Sequence, residues 1–204
     1  MGRLMGWAAA AALVVAGTAQ AAPAPERLVM KPYPGAAWKL ITNQTSHGAW
    51  NREQIPGAET EANFTEILTD QGFPNLAGAD PALFLKQRFQ QIMLSCDSVR
   101  VNGPTARLEG GVRVAYGQLY CGQQRGQDYG VHVFFKVVSG EAATYAISLD
   151  VHTPASATGG VLSFPAGHED EMQALLKTES AANAYIESGV YLCGGPSTDL
   201  RCGK

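Results

Sequence analysis

Three runs decide the fold: Val112-Arg113-Val114-Ala115-Tyr116, the segment 129–138 reading YGVHVFFKVV, and the segment 144–151 reading TYAISLDV. Each is rich in β-branched and aromatic residues, the types that fit a pleated, half-buried surface. In the first, Val112, Val114 and Tyr116 alternate with Arg113 and Ala115, and the run can continue to Cys121. In the third, Ile147, Leu149 and Val151 alternate with Ser148, Asp150 and His152. The polar stretch Gln123–Gln127 joins the first run to the second, and Ser139-Gly140 joins the second to the third. Consecutive strands with short turns predict an antiparallel meander.

Upstream, Trp38–Ile41 reads as a first strand, His47–Thr60 as strand and turn around Pro56-Gly57, and Asn63–Thr69 as another strand. A helix is predicted from about Pro81 to Ser95. Asp80 suits the cap and Pro81 the first helical position. Leu85, Phe89, Ile92 and Cys96 recur at helical spacing and form its buried stripe. Asn102-Gly103-Pro104 reads as a turn. A second helix opens at His168-Glu169-Asp170-Glu171, where acids suit the positive end of the helix dipole. It runs down Met172, Leu175, Leu176, Glu179, Ala182 and Ile186 to a cap at Gly189. The expected architecture is α+β: an antiparallel sheet of about five to six strands packed with two main helices. The order of elements from Trp38 to Ile186 resembles the Mog1/PsbP-like sandwich, a fold of several exported bacterial proteins. The chain also resembles exported proteins of proteobacteria. These resemblances imply a fold and an address, and they carry no site residues.

The N-terminus sets the compartment. Arg3 precedes an apolar run from Trp7 to Ala16, and Ala19-Gln20-Ala21-Ala22 offers a small-residue cleavage site. This is the pattern of a secretory signal peptide over residues 1–22. Its apolar core falls short of the roughly 20 residues a membrane-spanning helix needs. Residues 23–37, rich in Ala and Pro, read as a flexible lead-in, and 38–204 as a single domain. The expected mature protein is periplasmic or extracellular, without an integral membrane segment. Its four cysteines then point to disulfides. Sequence proximity favours Cys96–Cys121 and Cys193–Cys202, the second clipping the C-terminal tail Tyr191–Cys202 back on itself. A zinc site is disfavoured, because no tight Cys-x-x-Cys pair is present.

The formal net charge is −3, and Arg3 is the one charged residue of the leader, so cleavage makes it −4. Mild acidity without a basic cluster argues against a nucleic-acid partner or an anionic membrane surface. No phosphate-binding glycine loop, nucleophile elbow or His-Glu-x-x-His motif occurs. No cofactor is expected. Asn43-Gln44-Thr45 and Asn63-Phe64-Thr65 match the glycosylation sequon, and a bacterial host would leave them bare.

Two candidate sites remain. Ser148, Asp150 and His152 share one strand face, and His132 on the neighbouring strand can approach His152. Together His132, Asp150 and His152 suggest a hydrolytic or metal-dependent centre. Same-face spacing is too wide for a hydrogen-bonded triad, however, and a one-residue slip sends His132 to the other face. A solvated strand face is the preferred expectation. The second candidate is a ligand groove walled by Trp38, Trp50 and Phe64, with Tyr33 and Phe73 nearby. The favoured reading is a non-enzymatic exported protein that binds a protein or small-molecule partner or supports the cell envelope. The alternative is a periplasmic hydrolase or metal-dependent enzyme using His132, Asp150 and His152.

Overall fold

A computed structural model describes residues 24–35, 37–157, 164 and 166–203. The expected signal peptide at 1–22 lies outside the described residues. The elements in chain order are β1 (Arg27–Met30), β2 (Trp38–Ser46), β3 (Ala49–Pro56), β4 (Glu66–Phe73), α1 (Pro81–Met93), β5 (Val99–Glu109), β6 (Val112–Cys121), β7 (Tyr129–Ser139), β8 (Thr144–Pro154), α2 (Glu169–Ser188) and β9 (Val190–Cys193). Seven strands form one sheet in the order β2-β3-β4-β8-β7-β6-β5, antiparallel at every step. β1 and β9 make a separate antiparallel pair. The α+β class stands, with more strands than the five to six expected.

The extra strands come from stretches that read as turn or linker. Gly103-Pro104 lies inside β5, where the pairing with β6 shifts between Asn102 and Thr105. β5 is an edge strand, and an edge with a bulge tolerates a proline that lacks a ladder donor. Arg27–Met30, expected as flexible lead-in, pairs residue for residue with Val190–Cys193. Glu26 anchors this entry, accepting from the backbone N–H of Glu141 and Ala142 and from the Tyr145 hydroxyl. The β5–β6 hairpin turns on Gly110 and Gly111, both at positive φ, the conformation a two-residue hairpin of matching twist requires.

One helix packs on each face of the sheet. α1 packs over β5, β6 and β7, burying Leu85 and Phe89 against Ala115, Leu119, Val133, Phe135 and Val137. Asp80 caps it, its Oδ1 accepting from Ala82 and Leu83 N–H at 2.9 Å each. α2 packs over β7 and β8 on the opposite face, burying Ala182, Tyr185 and Ile186 against Phe134, Val138, Ile147 and Leu149. The inward stripe of α2 is thus rotated from the expected one: Leu176 is exposed and Tyr185 is inside. Disulfides join Cys96, just past α1, to Cys121 at the end of β6, and Cys193 of β9 to Cys202 in the tail. Two disulfides fit an oxidising compartment. Among the described residues no helix is long and apolar enough to cross a membrane.

Candidate functional site

α2 covers only the central strands of its face, so the half-sheet β2-β3-β4 extends beyond it. Strand alternation brings Trp50, Arg52 and Gln54 of β3 to this face, with Leu68 and Asp70 of β4 opposite them. β2 is irregular between Leu40 and Thr42, so Leu40 pairs with Gln54 and Asn43 with Arg52. The one-residue bulge therefore turns both Leu40 and Asn43 toward the same side. Leu28 and Met30 of β1, Pro32, Tyr33, Gly35 and Ala37 of the following connection and Tyr185 of α2 close the other walls. They enclose a groove of about 790 Å³, within the size range of small-ligand sites.

The wall between groove and core is aromatic. Tyr33 meets Trp38 edge-on at 5.3 Å and Tyr185 edge-on at 5.0 Å between ring centroids. Its hydroxyl donates to Glu66 Oε1 at 3.0 Å. Burial, reinforced by Glu66, pushes the Tyr33 phenol well above its ordinary range. Burial beside Asp70 pushes Tyr185 up to about 12. Both phenols are therefore neutral donors at physiological pH.

The floor is ionic. Asp70 is 2% exposed. Its Oδ1 accepts from Trp50 Nε1 at 3.1 Å and its Oδ2 is ion-paired with Arg52 Nη2. Trp50 lies flat over Gly72, where a Cβ would overlap the indole, and tilts against Tyr145. Arg52 has its side chain 47% exposed. The pair is therefore asymmetric: the carboxylate is buried and fully used, while the guanidinium faces the groove.

Of the residues expected to wall a groove, Trp38 lines it and Trp50 stands behind it, holding Asp70. Phe64 is elsewhere, packed at 4.6 Å against His152. Phe73 packs against Phe84 of α1 on the other face. Arg52, Asp70 and Tyr185 were missed from sequence. The usable signal was Asp70 inside the strand-like run Ile67-Leu68-Thr69-Asp70, opposite an alternating Trp50-x-Arg52-x-Gln54.

The proposed His132, Asp150 and His152 centre does not assemble. His132 pairs with Val151 and His152 with Val131, so the two imidazoles lie on opposite faces of the sheet. His132 bonds Glu179 of α2 through Nδ1 at 2.9 Å. His152 is stacked on Tyr129 at 4.0 Å, and burial lowers its pKa. No group of three or more His, Cys, Asp or Glu suited to a metal occurs among the described residues. Nor is the Ser148 face solvated. Ser148 is buried, and Asp150 Oδ1 is a buried atom without a hydrogen-bond partner. Burial pushes the Asp150 carboxyl up to about 7; Ser148 and Arg88 pull it down and Glu53 adds to the rise. Arg88 reaches over this face from α1 and donates to Gln71 Oε1 at 2.6 Å, and Gln71 donates in turn to Asn51. Those contacts tie α1 to β4 and β3.

A second buried charge serves the fold. Lys136 is fully buried under α2 and donates to Glu109 Oε2 at 2.6 Å and to the Val190 carbonyl at 2.5 Å. Burial lowers its pKa to about 8 while Glu109 opposes the fall. It satisfies a carbonyl just past the C-terminus of α2, where a cation is favoured.

No family model matches the sequence, and no curated protein matches it. Among solved structures the chain is similar to LpqN of Mycobacterium tuberculosis, described as involved in cell envelope biogenesis. That match has 15% identity, covers 86% of this chain and 87% of that one, and has a TM-score of 0.42. It is also similar to PA94 of Pseudomonas aeruginosa, a protein of unknown function, at 12% identity, with 68% of this chain and 92% of that one covered and a TM-score of 0.35. At these TM-scores neither likeness carries an inference about function.

Proposed function

We propose that this chain is an exported binding protein, periplasmic or secreted, that holds a small amphipathic molecule in the groove between α2 and the β2-β3-β4 half-sheet. The observation that carries this reading is the groove itself: about 790 Å³, walled by Tyr33, Trp38 and Tyr185 and floored by the Arg52–Asp70 pair. Concave, largely apolar sites with a few convergent polar groups are how proteins hold small ligands. Binding is favoured over catalysis because the one carboxylate of the lining, Asp70, is occupied by Arg52 and Trp50 and is not free as a base. The leader pattern at 1–22 and the two disulfides support the exported address.

The test is binding of Nile red, a neutral dye that brightens in apolar sites, to the mature disulfide-bonded protein. Saturable one-to-one binding is expected, abolished in Trp38→Ala and retained in Leu94→Ala, a control on the far side of the molecule. No saturable binding by the unaltered protein, or equal binding by Trp38→Ala, would overturn the assignment.

A further inference from the structure

The donors and acceptors of the groove are unbalanced, and the imbalance defines the ligand. Arg52 spends one Nη on Asp70, and no other partner of its guanidinium is found among the described residues. Lys31 belongs to the lining, but its ammonium lies 5.9 Å from the ring centroid of Tyr191, on the side of β1 away from Leu28 and Met30, so Arg52 is the cation the groove presents. Asn43 and Gln54 add side-chain amides. Against these stand few acceptors. Asp70 is buried and doubly engaged, and Glu66, behind Tyr33, holds that phenol. A cationic ligand would find no free counter-charge. An anion would meet a half-exposed guanidinium with unspent donors, the group best suited to carboxylate and phosphate.

A separate part of the lining is hydrocarbon. Leu28, Met30 and Leu68 run along the side nearest the core, and Leu40, half exposed, stands at the outer side. Such a wall suits an alkyl or aryl body lying alongside the charged strip. The space matches one small molecule, not a bilayer surface.

We infer that the groove takes a single-tailed amphipathic anion, its carboxylate or phosphate monoester head on Arg52 and its apolar body along Leu28, Met30 and Leu68. This inference rests on the groove being a binding site, and it adds the chemical class of the occupant.

The experiment titrates the mature protein, below micelle formation, with four twelve-carbon probes: dodecanoate, dodecyl phosphate, dodecanol and dodecyltrimethylammonium. Calorimetry and tryptophan emission read binding, and Nile red binding is measured on the same sample. Dodecanoate or dodecyl phosphate should bind at least tenfold tighter than dodecanol, with the ammonium weakest; which anion leads tells carboxylate from phosphate. Arg52→Gln should shrink that anion preference tenfold or more, and Arg52→Lys, which keeps a cation at this position, should retain part of it. Arg52→Lys is the safer variant, because it keeps a cation opposite the buried Asp70. Equal affinity for dodecanol and both anions would overturn the head assignment while Nile red binding preserved the groove. A preference that survives undiminished in Arg52→Gln would overturn it too. Loss of Nile red and all four probes together would sink the groove reading itself. Binding to anionic phospholipid vesicles without binding of the free anions would replace the inference with a membrane surface.

Discussion

Replacing Asp70 with Asn should weaken the fold and strengthen anion binding at once. The swap is isosteric. Asn keeps one oxygen that can accept from Trp50 Nε1, now held at 3.1 Å. It exchanges the oxygen facing Arg52 for an amide NH2, which cannot accept. A hydrogen bond to a charged group contributes about 1.5–3 kcal/mol. Arg52 is half exposed, so solvent screens part of that sum, leaving a loss of about 2 kcal/mol. For a domain of this size that lowers the melting temperature by roughly 4–8 °C. The electrostatic change has the opposite consequence for the ligand. With the Asp70 charge gone, an anion seated on Arg52 no longer feels a carboxylate across the guanidinium. At a separation of roughly 7 Å and surface-like screening this removes about 1–2 kcal/mol of repulsion, or roughly a tenfold gain in affinity. Urea unfolding followed by circular dichroism measures the first effect, and dodecanoate titration the second. Dodecanol, lacking charge, is the control and should bind unchanged. Unaltered stability would show that Asp70 does not anchor the floor. Weaker dodecanoate binding at intact fold would show that Asp70 serves by positioning Arg52, which refutes the charge reasoning.

Other consequences are independent of the groove's occupant. Gly72→Ala forces a Cβ into the Trp50 indole and should cost about 2 kcal/mol or more in urea unfolding, with a shifted tryptophan emission. Replacing Cys193 and Cys202 together by Ser opens a short loop and should cost about 2–3 kcal/mol by the loop-entropy relation, read under non-reducing conditions; an unchanged midpoint would count against the bond. Lys136→Met leaves the Val190 carbonyl unsatisfied and Glu109 without its buried partner, and should cost about 3 kcal/mol, with less than additive loss when Glu109→Gln is combined with it. Asp150 has a folded pKa raised to about 7 from an ordinary 3.8, so between these values the folded chain binds the extra proton. Its contribution to stability is therefore greatest below pH 4 and falls as pH rises through 7, by about 1–3 kcal/mol once its partial exposure is allowed for. Asp150→Asn should flatten that slope in chemical unfolding at a series of pH values, and an unchanged slope would refute the assignment.

What the sequence revealed and what it hid divide along the range of the interactions. β6, β7 and β8 were legible because alternation and turn chemistry are local. α1 was legible for the same reason, with Asp80 and Pro81 marking its start and Leu85 and Phe89 its stripe. The faces were not. A central strand with helices on both sides is buried throughout, and from Val133 to Ser139 every residue of β7 is buried. Alternation then loses its meaning as inside against outside, and Ser148-x-Asp150-x-His152 looked solvated while α1 and Arg88 covered that face. β1 and β9 escaped because 27–30 pairs with 190–193, and nothing near either segment records the partner. β5 escaped because Gly103-Pro104 is turn chemistry that an edge strand absorbs as a bulge.

The groove lies between these limits. Its aromatic wall was half legible, since Tyr33 and Trp38 stand out as aromatics in a stretch of Pro, Gly and Ala. Its ionic floor was not, because pairing Arg52 with Asp70 needs the β3–β4 register, and bringing Tyr185 to them needs the docking of α2. The same docking explains why the groove exists. α2 is anchored at its C-terminal half by Ala182, Tyr185 and Ile186 over β7 and β8, with Lys136 fixing its end, so it cannot also reach β2 and β3. Those strands nevertheless carry Trp38, Leu40 and Trp50 on that face, beside Asn43, Arg52 and Gln54. A half-sheet that carries large apolar side chains but no covering helix stays open to an outside molecule, and the Arg52–Asp70 pair sets the charge of that opening where a packed helix would have favoured a leucine.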